Sequence, residues 1–183
     1  MQPSIRDDHP LRRFLAGLAE DSFHCHLGLC DPQLIDYVVD LLIDFIHTDR
    51  LHPLRDARGR RLDQVVDMLT LSAADPDISE TEHRRRVHQH VGDYTLFWSG
   101  VFPESLGKLR RLSKADGLID YRAAGKRSYA IASELSPPDG RPPARLLRRL
   151  SEEFEHCAYG LTLVRQGWER RDADALGGPH PIW

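Results

Sequence analysis

Residues 92–104, with the sequence GDYTLFWSGVFPE, hold four aromatic side chains and two glycines in thirteen positions. On a helix, Gly92, Leu96 and Gly100 would lie on one side, because they are spaced four residues apart. Each glycine costs a helix about 1 kcal/mol relative to alanine, so close packing of a neighbouring helix is the natural compensation. The Phe-Pro pair near the end of the stretch disfavours continued helical geometry. The stretch therefore predicts the buried end of a helix, followed by a turn.

The composition favours one domain that stays in water. The chain has 183 residues, and its 25 basic and 28 acidic side chains leave a net charge of -3. Because this net charge is small and negative, the chain has no overall electrostatic field that would attract it to nucleic acid or to an anionic membrane. No apolar run approaches the roughly 20 residues of a membrane helix. The first ten residues carry acids and prolines where a secretory signal needs an apolar segment, so we expect a cytoplasmic location.

Apolar residues at three- and four-residue steps predict about seven helices, and no stretch alternates in the way that a strand requires. We expect an all-α, single-domain bundle of orthogonal or irregular packing over residues 1–170. Residues 171–183 should form a poorly ordered C-terminal tail. The predicted helices span about residues 11–23, 32–47, 62–72, 79–102, 104–114, 115–135 and 144–170, with a kink in the sixth near Gly125.

Helix-capping and helix-breaking residues define several ends of the predicted helices. Asp31 followed by Pro32 is typical of a helix start, and Ser79 with Glu82 has the spacing of a capping box. Residues 24–30 and 52–61 are predicted to break the chain between helices. Residues 136–143 contain four prolines and a glycine, which predicts a loop.

One part of the sequence concentrates the residue types that bind metals. Neutral imidazole and thiolate are the ligands that zinc and later transition metals select. The densest group is His24, Cys25, His26 and Cys30. The spacing is irregular, and a second ligand pair would have to come from elsewhere; His156 and Cys157 could supply it. The alternative is a turn with buried cysteines and exposed histidines. Three cysteines are an odd set, which argues against a disulfide framework.

Two Glu-x-x-His pairs, Glu80 with His83 and Glu153 with His156, have the spacing that di-iron helical bundles use. Such a site also needs carboxylates from two further helices. The candidates are Asp36, Asp40 or Asp44 and Asp120 or Glu134. The first three acids recur every four residues on one helix, so that ladder either faces water beside a basic element or binds a cation.

The sequence shows few other signs of a catalytic, cofactor-binding or nucleic-acid-binding site. The sequence has no glycine-rich phosphate loop, nucleophile elbow, dinucleotide fingerprint or haem-attachment motif. Basic clusters occur at residues 58–61, 84–86, 108–114 and 145–149. They could converge on a phosphate-binding patch, but acids are interspersed, and a mixed solvated surface explains them without a nucleic-acid partner.

The order Gly-Asp, Leu-Phe, a later Gly and Phe-Pro-Glu within residues 92–104, followed by Tyr121 and Tyr129, resembles an uncharacterised family of small all-helical bacterial proteins. The resemblance covers residues 90–135. It implies a helical fold and, since no activity is attached to that family, no mechanism. The element at residues 118–121, LIDY, keeps one tyrosine where the family pattern has two.

Together these observations favour a non-enzymatic helical protein that works by binding. The bound species would be a second copy of the chain in a homo-oligomer, a protein partner or a small apolar ligand. Tyr94, Trp98 and Phe102 would line that contact or pocket; alternatively, each of them fills the core. The second hypothesis is a metal-dependent helical bundle of the zinc or di-iron type. The sequence identifies no other cofactor.

Overall fold

A computed structural model describes residues 9–46, 54, 62, 64–72, 80–106 and 119–176. In these ranges every regular element is a helix, which confirms the predicted all-α class. A π-helical segment, Asp21–His26, continues the first helix, and residues 103–106 form a short helical stretch. The helices are α1 Pro10–Glu20, α2 Pro32–Ile46, α3 Val65–Ser72, α4 Glu80–Val101, α5 Tyr121–Glu134, α6 Ala144–Glu152 and α7 Phe154–Leu176.

Helix α4 lies at the centre of the bundle and packs against α2, α3, α5 and α7. Val87, Val91, Leu96 and Val101 on this helix are completely or almost completely buried. Burying a side chain of this kind contributes roughly 1.5–3 kcal/mol. Helix α1 packs against α2 and α7, while α6 packs mainly against α5. The prediction that residues 92–101 are the buried half of a helix is therefore confirmed.

Gly92 and Gly100, the two glycines in this buried half of α4, are positions where a neighbouring helix comes very close to α4. A Cβ added at Gly92 would lie 2.7 Å from the ring of Tyr129 on α5. At Gly100 it would lie 2.6 Å from Cβ of Leu161 and 2.8 Å from the carbonyl oxygen of Ala158, both on α7. Carbon atoms in contact are normally about 3.5–4 Å apart. The predicted close neighbour is present at both glycines, although at Gly92 it is an aromatic ring and not a helix backbone.

The predicted cap at Asp31 is confirmed. Oδ1 of Asp31 accepts hydrogen bonds from the backbone N–H groups of Gln33 (3.0 Å) and Leu34 (3.3 Å). Helix α5 begins at Tyr121, later than the predicted start near residue 115, and the Asp120 side chain accepts from the backbone N–H groups of Arg122 and Ala123. These bonds satisfy donors that have no partner inside the helix. The predicted cap at Ser79 lies outside the described residues.

The single helix predicted over residues 144–170 is wrong, because the chain turns at Glu153 and forms two helices. The Glu153 backbone leaves helical geometry, with φ of -98° and ψ of 19°. This turn lets α6 lie against α5 while α7 continues along α4 and α1. Phe154, directly after the turn, is fully buried. Helix α7 then runs to Leu176, past its predicted end.

Two other predicted interruptions also differ from the structure. Helix α5 passes through Gly125 without a break. The glycine is needed for packing, since a Cβ there would lie 2.4 Å from the Phe154 ring and from Oγ1 of Thr95. The break predicted from His24 begins later, because the π-helical segment extends to His26. Gly28 then adopts a φ of 67°, a region that glycine favours.

No described helix is both long enough and apolar enough to cross a lipid bilayer. The predicted loop at residues 52–61, the predicted helix beyond residue 106 and the end of the predicted tail lie outside the described residues, apart from Leu54.

Candidate functional site

The aromatic end of α4, which we define as Tyr94, Trp98 and Phe102, lies on one helix face. The ring centroids of Tyr94 and Trp98 are 6.1 Å apart, and those of Trp98 and Phe102 are 5.5 Å apart. Tyr94 is 2% exposed and belongs to the core, whereas Trp98 and Phe102 keep part of their surface accessible. The structure thus brings the three predicted residues together, and two of them reach the surface.

Trp98 carries an unsatisfied polar atom. Its indole Nε1 is buried and has no hydrogen-bond partner in the part of the chain that the structure describes. A buried N–H without an acceptor typically costs about 1–3 kcal/mol, so such groups are rare in folded proteins. An acceptor from a bound molecule would remove this cost.

Helix α7 fixes the turn at the end of α4. Nη1 of Arg165 donates to the backbone oxygen of Val101 (2.6 Å) and to the Glu104 carboxylate (2.5 Å). The same guanidinium lies 5.2 Å from the centroid of the Phe102 ring, within the range of a cation–π interaction. Oγ1 of Thr162 donates to the backbone oxygen of Gly100 (2.7 Å). Carbonyl groups that a helix end leaves free are thereby satisfied.

A cavity lies beside this turn, next to Val101 and Arg165. It is lined mainly by Leu42, Phe97, Val101, Val164 and Trp168 and has a volume of about 20 Å³. A cavity needs roughly 10–15 Å³ to hold one water molecule, whereas small-molecule sites usually enclose several hundred Å³. This cavity is therefore too small for an organic ligand.

A second arrangement, which we call the Asp93 network, joins three helices through polar side chains. Oδ1 of Asp93 on α4 accepts hydrogen bonds from the hydroxyls of Tyr37 on α2 and Tyr129 on α5, each at 2.7 Å. Nε2 of Gln89 donates to the Tyr37 hydroxyl at 3.1 Å. Within the described residues no cation pairs with Asp93.

The surroundings of Asp93 favour its neutral form. Burial, with a smaller contribution from the nearby Asp44 carboxylate, raises the pKa of Asp93 from 3.8 to about 7, although the two tyrosine hydroxyls act in the opposite direction. Burial also raises the pKa of Tyr37 and Tyr129 well above 10, and the Asp93 charge adds to this. The tyrosines therefore remain hydrogen-bond donors, and Asp93 is the group that changes charge near neutral pH.

The network continues toward the start of α4 through a buried arginine. Arg85 is 5% exposed, and its Nη1 donates to Oε1 of Gln89 at 3.2 Å. Nε and Nη2 of Arg85 form a bidentate pair with Glu82 at 2.7 and 2.8 Å. Arg85 and Arg86 hold the pKa of Glu82 at about 2. A chain of hydrogen bonds thus runs from an ionised pair at the surface to the Asp93 carboxyl.

The sequence pattern does not predict the Asp93 network. Asp93 falls within a packing motif, because its neighbours Gly92, Tyr94 and Leu96 are core residues. The available signal was a carboxylate within an otherwise apolar helix half, since a buried acid requires partners. The identity of those partners, Tyr37 and Tyr129, depends on how α2 and α5 cross α4, which the sequence pattern does not fix.

The metal candidates remain apart in the structure. Within the described ranges, no three His, Cys, Asp or Glu side chains come close enough together to hold a metal ion. Cys25 and Cys30 are exposed, contrary to the expectation of buried cysteines in that turn, whereas Cys157 is buried. Burial raises the pKa of the Cys157 thiol to about 12. That thiol therefore stays protonated, which disfavours metal ligation.

The Glu-x-x-His pairs and the acidic ladder have local explanations. His156 Nδ1 lies 2.7 Å from Oε2 of Glu153, its own pair partner. In the other pair, the Glu80 side chain lies outside the described part of the chain. Asp40 pairs with Arg12 on α1, so this member of the ladder faces a basic residue of a neighbouring helix. Asp120, a further candidate ligand, is occupied as a helix cap.

Comparison with known proteins adds no relative: no family model matches the chain, and no curated protein or solved structure matches it.

Proposed function

We propose that this protein is a non-enzymatic helical interaction protein that associates with a second copy of itself through the aromatic end of α4. The observation that carries the proposal is the buried indole N–H of Trp98, which has no acceptor among the described residues although the Trp98 side chain reaches the surface. A backbone or side-chain oxygen of a partner would satisfy it. Tryptophan is also one of the residues that most often dominate protein interfaces.

The geometry favours a macromolecular partner over a small apolar ligand. The cavity beside the turn holds no more than about one water molecule, whereas a protein interface uses a surface and needs no preformed cavity. The Arg165 contacts hold the turn in place, so the aromatic end is presented on a fixed support. In a two-fold dimer the same patch meets its own copy, and each Trp98 then contributes to the contact.

The test is the concentration dependence of the molar mass, measured by sedimentation equilibrium on the full chain and on Trp98→Phe. This substitution keeps an aromatic ring and removes the N–H donor. We expect the wild type to dimerise and Trp98→Phe to weaken dimerisation up to about tenfold, the range that one hydrogen bond supplies. Trp168→Phe is the matched control, because Trp168 is also partly buried, packs against Phe14 and lies on α7.

Two results would reject the proposal. One is a wild type that stays monomeric at every concentration. The other is a dimer that Trp98→Phe and Trp168→Phe weaken equally. Far-ultraviolet circular dichroism and urea unfolding of each variant would show that the fold is retained.

A further inference from the structure

A polar groove lies between α6 and the start of α2. Its volume is about 540 Å³, which is within the several hundred Å³ that small-molecule sites usually enclose. Charged residues spaced three, four and seven positions apart on α6 share one helix face and line this groove; they are Arg145, Arg148, Arg149 and Glu152. Leu147 and Leu150, on the other side of α6, are fully buried. The helix therefore packs into the bundle through its leucines and presents its charged face to the groove.

Two side-chain contacts join α6 to the start of α2 within this groove. Nη1 of Arg149 lies 3.2 Å from Oδ2 of Asp31, while the other carboxylate oxygen of Asp31 caps α2. Nη2 of Arg145 donates to Oε1 of Gln33 at 3.1 Å. The charge of Asp31 is thus balanced by Arg149, whereas among the described residues the partner of Arg145 is an uncharged amide. The charge of Arg145 therefore remains available to a ligand.

The charges that are not balanced lie toward opposite ends of the groove. Arg145 and Arg148 belong to the first half of α6, and Arg148 forms no ion pair or side-chain hydrogen bond with any described residue. At the end of α6, Glu152 has no such partner in the described ranges either, and the partner of Glu153 is the imidazole of His156. Seven positions separate Arg145 from Glu152, so their Cα atoms lie about 10 Å apart along the helix axis. The groove therefore has a basic end and an acidic end.

This order of charges opposes the dipole of α6. The first turn of a helix carries a partial positive charge and favours acids, and the last turn favours bases. In α6, Arg145 is the second residue and Glu152 the last, the first turn contains no acid, and Pro143 provides no side-chain cap. These charges are unfavourable for the helix by itself. A ligand with the reverse order of charges would place its anion at the start of α6 and its cation at the end, and so offset that cost.

We propose that this groove binds a zwitterionic peptide of about three residues, with its carboxylate at Arg145 and Arg148 and its ammonium group at Glu152 and Glu153. Guanidinium groups bind a carboxylate with two parallel N–H donors. An extended chain spans about 3.3–3.6 Å per residue, so the two ends of a tripeptide lie about 10 Å apart and match the two ends of the groove. The site shares no residue with the aromatic end of α4.

The test is an NMR titration of the isotope-labelled full chain with triglycine at constant ionic strength. Triglycine has an ammonium group at one end, a carboxylate at the other and no side chains. We expect saturable shifts of the amide resonances of residues 145–153. Triglycine amide lacks the carboxylate and acetyl-triglycine lacks the ammonium group. Each should bind about tenfold or more weakly than triglycine, because one charge-assisted contact is lost.

Variants identify which end of the peptide each side chain contacts. Arg148→Gln should weaken triglycine binding about tenfold and leave the binding of triglycine amide unchanged, since that peptide has no carboxylate. Glu152→Gln should weaken triglycine binding similarly and leave acetyl-triglycine binding unchanged. Both side chains are exposed, so resonances outside the groove should keep their positions. Arg86→Gln is the matched control, because Arg86 is also exposed but lies on α4 and does not line the groove.

Three results would overturn the proposal. Triglycine could cause no saturable shifts at residues 145–153, both blocked peptides could bind as tightly as triglycine, or Arg86→Gln could weaken binding as much as Arg148→Gln does. A reversed pattern, in which Arg148→Gln affects triglycine amide and Glu152→Gln affects acetyl-triglycine, would overturn the orientation of the peptide. The titration applies equally to a monomer, so its outcome is separate from that of the self-association test.

Discussion

At the scale of single residues, ionisation of Asp93 opposes folding. The ordinary pKa of its carboxyl is 3.8, and burial raises it to about 7 in the folded chain. Between these pH values the folded protein holds a proton that the unfolded chain has lost. The free energy of unfolding should therefore decrease as pH rises from about 4 to 7 and then level off. The full effect is at most about 4 kcal/mol, since each pH unit corresponds to roughly 1.4 kcal/mol.

Asp93→Asn should remove this pH dependence. The amide oxygen can still accept the two tyrosine hydroxyls, but it has no charge to bury. Between pH 5 and pH 8 we expect the free energy of unfolding of the wild type to fall by about 2–3 kcal/mol relative to the variant. Urea unfolding at a series of pH values measures this difference, and other titrating groups cancel in the comparison.

Asp40→Asn is the control for Asp93→Asn, because Asp40 is mostly exposed and pairs with Arg12 at the surface. Exposed pairs contribute about 0–1 kcal/mol, so this variant should follow the wild type at every pH. Parallel curves for the wild type and Asp93→Asn would show that the Asp93 carboxyl does not titrate in this range.

At the scale of helices, glycines decide how closely α4, α5 and α7 approach. Gly125→Ala should destabilise the fold, because its Cβ would lie 2.4 Å from Phe154 and from Thr95. Overpacking of this kind typically costs about 1–3 kcal/mol. In Gly17→Ala on α1, no neighbouring side chain among the described residues lies within 4 Å of the added carbon. This substitution should instead stabilise the fold by up to about 1 kcal/mol, because alanine has a higher helix propensity than glycine.

The two glycine variants should be compared by urea unfolding at one pH. We expect Gly125→Ala to lower the free energy of unfolding and Gly17→Ala to raise it. Both changes add the same methyl group within a helix and differ only in the space around it. If Gly125→Ala is as stable as the wild type, then α5 and α7 can move apart more easily than the close contact suggests.

Several elements could be predicted because their signals are local. Asp31 and Pro32 mark the start of α2, and apolar periodicity carries that helix to its observed end within one residue. The turn at Glu153 could not be predicted in this way. Leu150, Phe154 and Cys157 keep three- and four-residue spacing across it, so the periodicity continues although the helix does not. The turn arises from the packing of α6 on α5, which is a property of the assembled bundle.

At the scale of the whole molecule, α4 packs against four other helices, α2, α3, α5 and α7. Its residues 91–101 should therefore exchange their amide hydrogens only through global unfolding. Hydrogen exchange followed by mass spectrometry should show slower exchange there than in residues 10–14 of α1, where Leu11 and Phe14 remain partly accessible. Faster exchange in α4 than in α1 would mean that the bundle opens around its centre.

Only part of each candidate site could be predicted from the sequence. Tyr94, Trp98 and Phe102 could be grouped from their four-residue spacing alone, which runs along α4 into the residue that follows it. Their division into one core residue and two surface residues required the neighbouring elements. Asp93 gains its character from tyrosines on α2 and α5, so contacts between distant segments determine the Asp93 network.

Cys157 is buried whereas Cys25 and Cys30 are exposed, so the three thiols differ in their access to oxidants. The Cys157 thiol is enclosed and kept protonated, so oxidants in the surrounding solution meet only Cys25 and Cys30. Mild oxidation can therefore join two molecules through the turn after α1 while the interior stays reduced. Any disulfide-linked species of the folded protein will carry its bond at that turn.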